Sequence, residues 1–158
     1  MFPIKSIRYP TAEQNKVWFK RRKGVAPSEI AEEMGVSRPY VSQAQRIAEK
    51  RIEKLLRHTA SSSRISIDHI SAQYGIAVGE CPALGTTVYF TYTSTMGVQT
   101  WYRHVGECQG CDKSSECTRV LDTLSKEWNL DVPNDLPPTE RGIRLFDMMM
   151  EELGWGRN

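Results

Sequence analysis

The ten residues EEMGVSRPYV (Glu32–Val41) decide how the first part of this chain folds. Gly35 can adopt the left-handed backbone conformation that ends one helix and turns the chain. Ser37 is a good N-cap residue for a second helix. Pro39 suits the first turn of that helix, because its missing N–H would have no partner there in any case. The stretch therefore predicts the turn between two helices, which is the helix-turn-helix arrangement.

Helix signals continue on both sides of this turn. Upstream, Thr11 can cap a first helix that Gly24 ends, and Pro27 with Ser28 opens a short second helix. Downstream, a third helix is predicted to run from the turn to about residue 60, because apolar residues recur there at spacings of three and four. The members of this stripe are Val41, Ala44, Ala48, Ile52, Leu55 and Thr59.

The third helix is too long to be covered by the two helices before it. At ~1.5 Å per residue it spans roughly 34 Å, so the far end of its apolar stripe needs another partner. Two partners are possible: the C-terminal part of the same chain, or the same helix in a second subunit. The second possibility agrees with the habit of helix-turn-helix proteins of binding paired half-sites as dimers, so we expect a homodimer.

Charge is distributed unevenly along the chain. Residues 1–60 carry 13 Lys and Arg against 6 Asp and Glu, whereas residues 61–158 carry 8 against 13. The net charge of +2 therefore combines a basic first part with an acidic second part. A basic helix-turn-helix unit typically meets nucleic acid, so double-stranded DNA is the expected partner.

The N-terminal sequence also resembles a known family. The segment from Thr11 to Ala60, and within it EIAEEMGVSR followed by VS and IEK, is similar to the DNA-binding domain of archaeal Tfx-type transcription regulators. That domain is itself similar to region 4 of bacterial sigma factors. The resemblance covers about a third of the chain and implies a promoter-binding regulator from an archaeon.

Two groups of residues are candidates for contacts with DNA. The N-terminal turns of a recognition helix enter the major groove and read bases, whereas basic residues around it contact phosphates. The candidates for base contacts are Arg38, Tyr40, Ser42, Gln43 and Arg46. The candidates for phosphate contacts are Lys20, Arg21, Arg22, Lys23 and Ser28.

The remainder of the chain predicts a mixed α and β unit. The serine-rich stretch from His58 to Arg64 is typical of a hinge, which divides the chain into residues 1–60 and 61–158. The region 86–105 predicts a β-hairpin, a helix capped by Ser114 or Ser115 follows, and a last helix runs from Thr139 to about Leu153. We expect an α+β fold with a helix-turn-helix domain and a cysteine-rich sensor or dimerisation domain.

The four cysteines of the chain are Cys81, Cys108, Cys111 and Cys117, which have the spacing C-x26-C-x2-C-x5-C. In a reducing compartment such a cluster points to a metal before it points to disulfides. A zinc ribbon would bring two close pairs, and only one such pair exists here. Four thiolates around an extended cluster tolerate one distant ligand better than a single tetrahedral ion does.

This spacing resembles the cluster ligands of two other groups of regulators, the WhiB-like proteins and the fumarate and nitrate reduction regulator. The resemblance implies that the four thiolates hold a [4Fe–4S] cluster that senses oxygen or nitric oxide. Structural Zn²⁺ on the same four cysteines is the alternative, with no metal-based sensing. His104 stands three residues before Cys108 and could be a ligand, a neighbouring donor or an ordinary histidine.

These expectations exclude several classes of protein. No segment is long and apolar enough to span a bilayer and the N-terminus lacks a signal-peptide pattern, so a cytoplasmic protein is expected. A thiol redox enzyme using the CQGC pair is a further alternative, but no thioredoxin-like strand precedes that pair, and we expect a protein that is not an enzyme. The sequence predicts a DNA-binding transcription regulator that senses redox state, oxygen or iron.

Overall fold

The computed structural model describes residues 7–156, which form five helices and one four-stranded antiparallel sheet. The predicted α+β class is confirmed. The elements are α1 (Ala12–Arg22), α2 (Pro27–Met34), α3 (Arg38–Ser62), β1 (Ser66–Ser71), β2 (Ile76–Cys81), β3 (Thr86–Thr93), β4 (Gly97–Tyr102), α4 (Ser114–Trp128) and α5 (Pro138–Leu153). None of the helices in this range is long and apolar enough to cross a membrane.

Helices α1 to α3 form the predicted three-helix head. Gly35 ends α2 in the left-handed conformation, with φ of 66°. The Ser37 side chain then caps α3 by accepting a hydrogen bond from the Tyr40 backbone N–H at 3.2 Å. Five buried residues fill the space between the three helices. They are Val17, Ile30, Ala31, Val41 and Ala44. The local signals around the turn therefore do what their chemistry predicts.

The far end of α3 packs on the sheet of the same chain. Ile52, Leu56 and Ala60 are buried and belong to one apolar cluster with the sheet residues Ala77 and Phe90. The predicted apolar stripe of α3 is confirmed from Val41 to Leu55. Beyond Leu55 the buried residues are Leu56 and Ala60, and not the predicted Thr59. Of the two partners considered for this helix, the described residues supply the intrachain one.

The serine-rich stretch is not a hinge in this structure. Helix α3 continues to Ser62, so His58 to Ser62 are helical and the expected boundary at residue 60 falls inside the helix. The chain turns only at Ser63 and Arg64, where Arg64 has φ of 57°. The physical reason is burial: Leu55, Leu56 and Ala60 anchor this last part of the helix, and packing of an apolar face outweighs the weak helix propensity of serine.

The sheet is a meander in the order β1-β2-β3-β4. The predicted hairpin is confirmed as β3 and β4, with Val88 opposite Tyr102 and Thr93 opposite Gly97. Strands β1 and β2 were not predicted. The β1 sequence SIDHIS alternates weakly, and its side chains are mostly exposed or half-buried, so the period-2 signal on which strand prediction depends is faint.

The two faces of the sheet carry different helices. On β2, Ala77 lies on the face covered by α3, whereas Ile76 and Val78 lie in a second cluster with α4 and α5. Ser114 is the first residue of α4 rather than its cap, and Lys113 takes the N-cap position without a side-chain hydrogen bond. On α4, Leu121, Leu124 and Trp128 are buried as their spacing predicts.

Candidate nucleic-acid interface and cysteine pocket

The start of α3 presents a polar, basic surface to solvent. The five residues predicted to read bases are all exposed, while Val41 and Ala44 between them are buried in the head. This division follows from helix periodicity, because positions three apart share a face and the remaining positions point away from it. The exposed set consists of Arg38, Tyr40, Ser42, Gln43 and Arg46.

Tyr40 is held in place by a contact with α1. Its hydroxyl donates a hydrogen bond to a carboxylate oxygen of Glu13. This bond raises the pKa of the Tyr40 phenol above its ordinary value, because loss of the proton would place two negative groups together.

The residues predicted to touch phosphates lie in different settings. The Lys20 ammonium pairs with Glu33 on α2, and Ser28 is exposed at the start of α2. Arg21 donates from Nε to Gln45 Oε1 at 3.0 Å and from Nη1 to the Val25 carbonyl at 2.8 Å, so it braces the head. The Lys23 ammonium lies 4.4 Å from the centre of the Phe19 ring.

Arg22 differs from the other candidates, because the burial of its side chain does not favour the predicted contact with a phosphate. Its side chain is only 4% exposed. The guanidinium carbon lies 4.4 Å from the Trp128 ring centre and 5.7 Å from that of Trp18. Arginine can bury its stem and stack its planar head on aromatic faces, so its basic charge alone does not place it at the surface.

Three of the four cysteines line one pocket of about 390 Å³ at the edge of β4. Cys108 and Cys111 bracket a tight turn, in which the Cys111 N–H donates to the Cys108 carbonyl at 3.1 Å. Gly110 has φ of 83° in this turn, a conformation that a side chain would oppose. Cys117 reaches the same pocket from the first turn of α4.

The neighbours of these thiols affect their ionisation. Burial raises the pKa of Cys117, and the nearby Cys111 and Cys108 raise it further. These effects outweigh the stabilisation that the positive end of the α4 dipole would give to a thiolate in its first turn. The Cys108 thiol donates to Thr139 Oγ1 at 3.6 Å. Thr139 stands 31 residues further along the chain, and no sequence signal links the two.

The structure does not support the four-cysteine site. Cys81 ends β2 and packs in the cluster beneath α3, whereas Cys117 packs in the cluster with α4 and α5 on the other face. Side chains alternate between faces along a strand, so Cys81 lies on the same face of the sheet as Ala77 and on the opposite face from Val78. Among residues 7–156, no group of three or more His, Cys, Asp or Glu side chains is arranged to hold a metal ion.

His104 lines the same pocket as the three clustered cysteines. Its Nδ1 lies 2.7 Å from the Tyr102 carbonyl oxygen, a distance at which a protonated Nδ1 donates a hydrogen bond. That tautomer leaves Nε2 without a proton. Histidines that bind metals commonly donate their other ring N–H to a carbonyl in this way, and this tautomer of His104 would leave Nε2 able to act as a ligand.

Comparisons of this chain with protein-family models, with curated proteins and with solved structures found no match.

Proposed function

We propose that this protein is a DNA-binding transcription regulator whose α3 reads the major groove. One observation carries the proposal: Gly35 turns the chain between α2 and α3, and the base-reading candidates at the start of α3 are all exposed. The resemblance of the head to archaeal Tfx-type regulators supports the same function. A homodimer would use a surface other than the distal stripe of α3, because the sheet covers that stripe.

Substitution of the base-reading residues tests this proposal. Arg38→Ala or Gln43→Ala is expected to weaken binding to the operator by ~1–3 kcal/mol and to relax specificity at one base pair, because a bidentate contact to a base edge is lost. Operators can be selected from random DNA with the purified protein. Affinities are then measured by fluorescence anisotropy on the operator and on single-base variants.

Arg57→Ala is a matched control for Arg38→Ala. Arg57 is an exposed arginine on the same helix, where it pairs with Glu53 one turn away. It stands 19 residues beyond Arg38, roughly 28 Å along the helix axis. We expect Arg57→Ala to retain operator affinity. Equal affinities for wild type, Arg38→Ala and Gln43→Ala would show that α3 is not the reading helix.

Lys20 allows a separate test of phosphate contact. Lys20→Ala is expected to weaken binding to every DNA sequence about equally and to reduce the salt slope by about one, because one fewer phosphate is neutralised. The control is Arg144→Ala, which also breaks an exposed ion pair but lies on α5. A loss confined to the operator would contradict the assignment of Lys20 to a phosphate.

The proposal includes a metal centre at the cysteine pocket. Cys108, Cys111 and Cys117 would supply three thiolates to a [4Fe–4S] cluster or to Zn²⁺, and His104 Nε2 is suited to the fourth position. The three thiols already line one pocket, and thiolates become stable when they bind metal. Most residues from 104 to 113 are exposed, so few buried contacts oppose a rearrangement around a metal.

The identity of the metal separates a sensor from a structural site. An absorption spectrum of protein purified without oxygen, with assays for iron, sulfide and zinc, distinguishes the two. A cluster would connect DNA affinity to oxygen or redox state, and its oxidation should change that affinity while the fold persists. Zinc would instead stabilise the loop before α4, and chelation should loosen this region without a redox response.

A further inference from the structure

A second cavity lies where the end of α1 meets α4 and α5, and it has a volume of about 750 Å³. This size falls within the range of small-molecule sites. Its charged lining residues come from α4, α5 and the C-terminal end of α1, and they are Arg22, Lys23, Lys126, Glu127, Glu151 and Glu152. The cavity is separate from the cysteine pocket and shares no lining residue with it.

Two buried charges in this lining lack hydrogen-bond partners. Within residues 7–156, nothing hydrogen-bonds to the Arg22 atoms Nη1 and Nη2 or to Glu127 Oε2. Arg22 Nη1 and Glu127 Oε2 are 3.8 Å apart, which is beyond hydrogen-bond distance. A buried charged group without such bonds is costly, so a guanidinium and a carboxylate in this state call for a bound partner.

The pKa values of Arg22 and Glu127 both shift in the direction that disfavours the charged form. Burial lowers the pKa of Arg22 to about 10, although Glu127 and Glu152 oppose the change. Burial also raises the pKa of Glu127, against the opposing effects of Arg22 and Lys23. Desolvation thus outweighs the attraction between the two charges. A ligand that bonds to both would compensate each of them.

The balance of charge indicates what kind of ligand fits. Three cationic and three anionic side chains line the cavity, so it offers no net field to a polyanion. A guanidinium edge that lacks hydrogen bonds suits a carboxylate, because its two N–H groups match two carboxylate oxygens. A carboxylate oxygen beside it that also lacks hydrogen bonds suits an ammonium group. A small zwitterion carries both groups at a short separation.

The rest of the lining is apolar and aromatic. Tyr74 and Trp128 stack with ring centres 5.7 Å apart, and Leu130 and Met148 complete this side of the cavity. Such a surface stabilises an apolar side chain by removing it from water. Charged and apolar groups therefore lie side by side in one cavity. An apolar amino acid needs both, because its ammonium and carboxylate groups are charged and its side chain is not.

We infer that this cavity binds a free amino acid with an apolar side chain. Its carboxylate bonds to the Arg22 guanidinium, its ammonium group bonds to the Glu127 carboxylate, and its side chain packs against Tyr74 and Trp128. The inference does not depend on DNA binding, and it can be tested without DNA.

Thermal unfolding of the full chain tests the inference. Each of the twenty free L-amino acids is added separately, with the N-acetyl and amide derivatives of the best one and with inorganic phosphate. At 100 times its Kd, an apolar amino acid is expected to raise Tm by about 5–10 °C. Neither derivative should do so, because each lacks one of the two charges.

Two glutamate variants provide the specificity control. Glu127→Gln is expected to remove the shift in Tm, whereas Glu116→Gln, at an exposed position on the same helix, should keep it. Circular dichroism confirms that each variant is folded. The inference is overturned if no amino acid raises Tm, if the N-acetyl derivative or phosphate raises it as much, or if Glu127→Gln retains the full shift.

Discussion

Replacing Cys108, Cys111 or Cys117 singly by serine is expected to leave the purified protein with only a small fraction of its iron or zinc. The three thiols line one pocket, and a serine hydroxyl does not ionise at neutral pH to replace a thiolate. The expected effect is large, because thiolate sites of this type bind metal with apparent free energies of about 10–16 kcal/mol for zinc. Metal content is measured on protein purified without oxygen.

Cys81→Ser is the matched control for these variants. It makes the same chemical change at a residue that packs on the other face of the sheet, so it should retain the wild-type metal content. Loss of metal in Cys81→Ser would restore the four-cysteine site and would require β2 to rearrange. Normal metal content in all four variants would show that the cysteines hold no metal.

His104→Gln distinguishes the fourth ligand. If Nε2 completes the site, this variant should bind metal more weakly than wild type, with a loss smaller than that of a cysteine variant, since an outside ligand can take the vacated position. Metal is titrated against a chelator of known affinity. Unchanged affinity would assign the fourth position to an outside ligand.

Trp18→Ala is expected to lower the free energy of unfolding by ~3–5 kcal/mol, the range for removing a large aromatic side chain from a core. Trp18 is 1% exposed and packs edge-to-face on Tyr92 with ring centres 5.4 Å apart. Its Nε1 also donates to the Ala72 carbonyl at 2.9 Å, which joins α1 to the turn between β1 and β2. Urea unfolding followed by circular dichroism measures the loss.

Two further variants serve as comparisons for Trp18→Ala. Trp18→Phe keeps an aromatic ring but loses the hydrogen bond, so it should cost less than Trp18→Ala. Leu84→Ala removes a side chain that is 68% exposed and should change stability by less than about 0.5 kcal/mol. A cost below about 1 kcal/mol for Trp18→Ala would contradict the packing of α1 on the sheet.

The head illustrates what local sequence can predict. Thr11, Gly35 and Ser37 each act within three or four residues of their own position, through a cap or a turn. Their effects do not depend on the rest of the chain, so the helices of the head and their order could be predicted. The same holds for the hairpin of β3 and β4, which needs only alternation and a turn.

The expected domain boundary at residue 60 shows where prediction from local sequence fails. Serine content predicted a hinge, because propensity describes a segment in isolation. In the folded chain, Leu56 and Ala60 pack on Phe90 and hold the helix together as far as Ser62. The contact that decided the outcome joins residues about 30 positions apart, and no local pattern records it.

Sequence by itself determined the helix-turn-helix head, the apolar stripe of α3 and the closeness of Cys108, Cys111 and Cys117. Only the tertiary structure decided that Cys81 stands apart from them and that Arg22 is buried between Trp18 and Trp128. The physical reason is the same in both cases. Spacing along the chain shows how near two residues can come, but the face to which a side chain points depends on which elements pack on either side of the sheet.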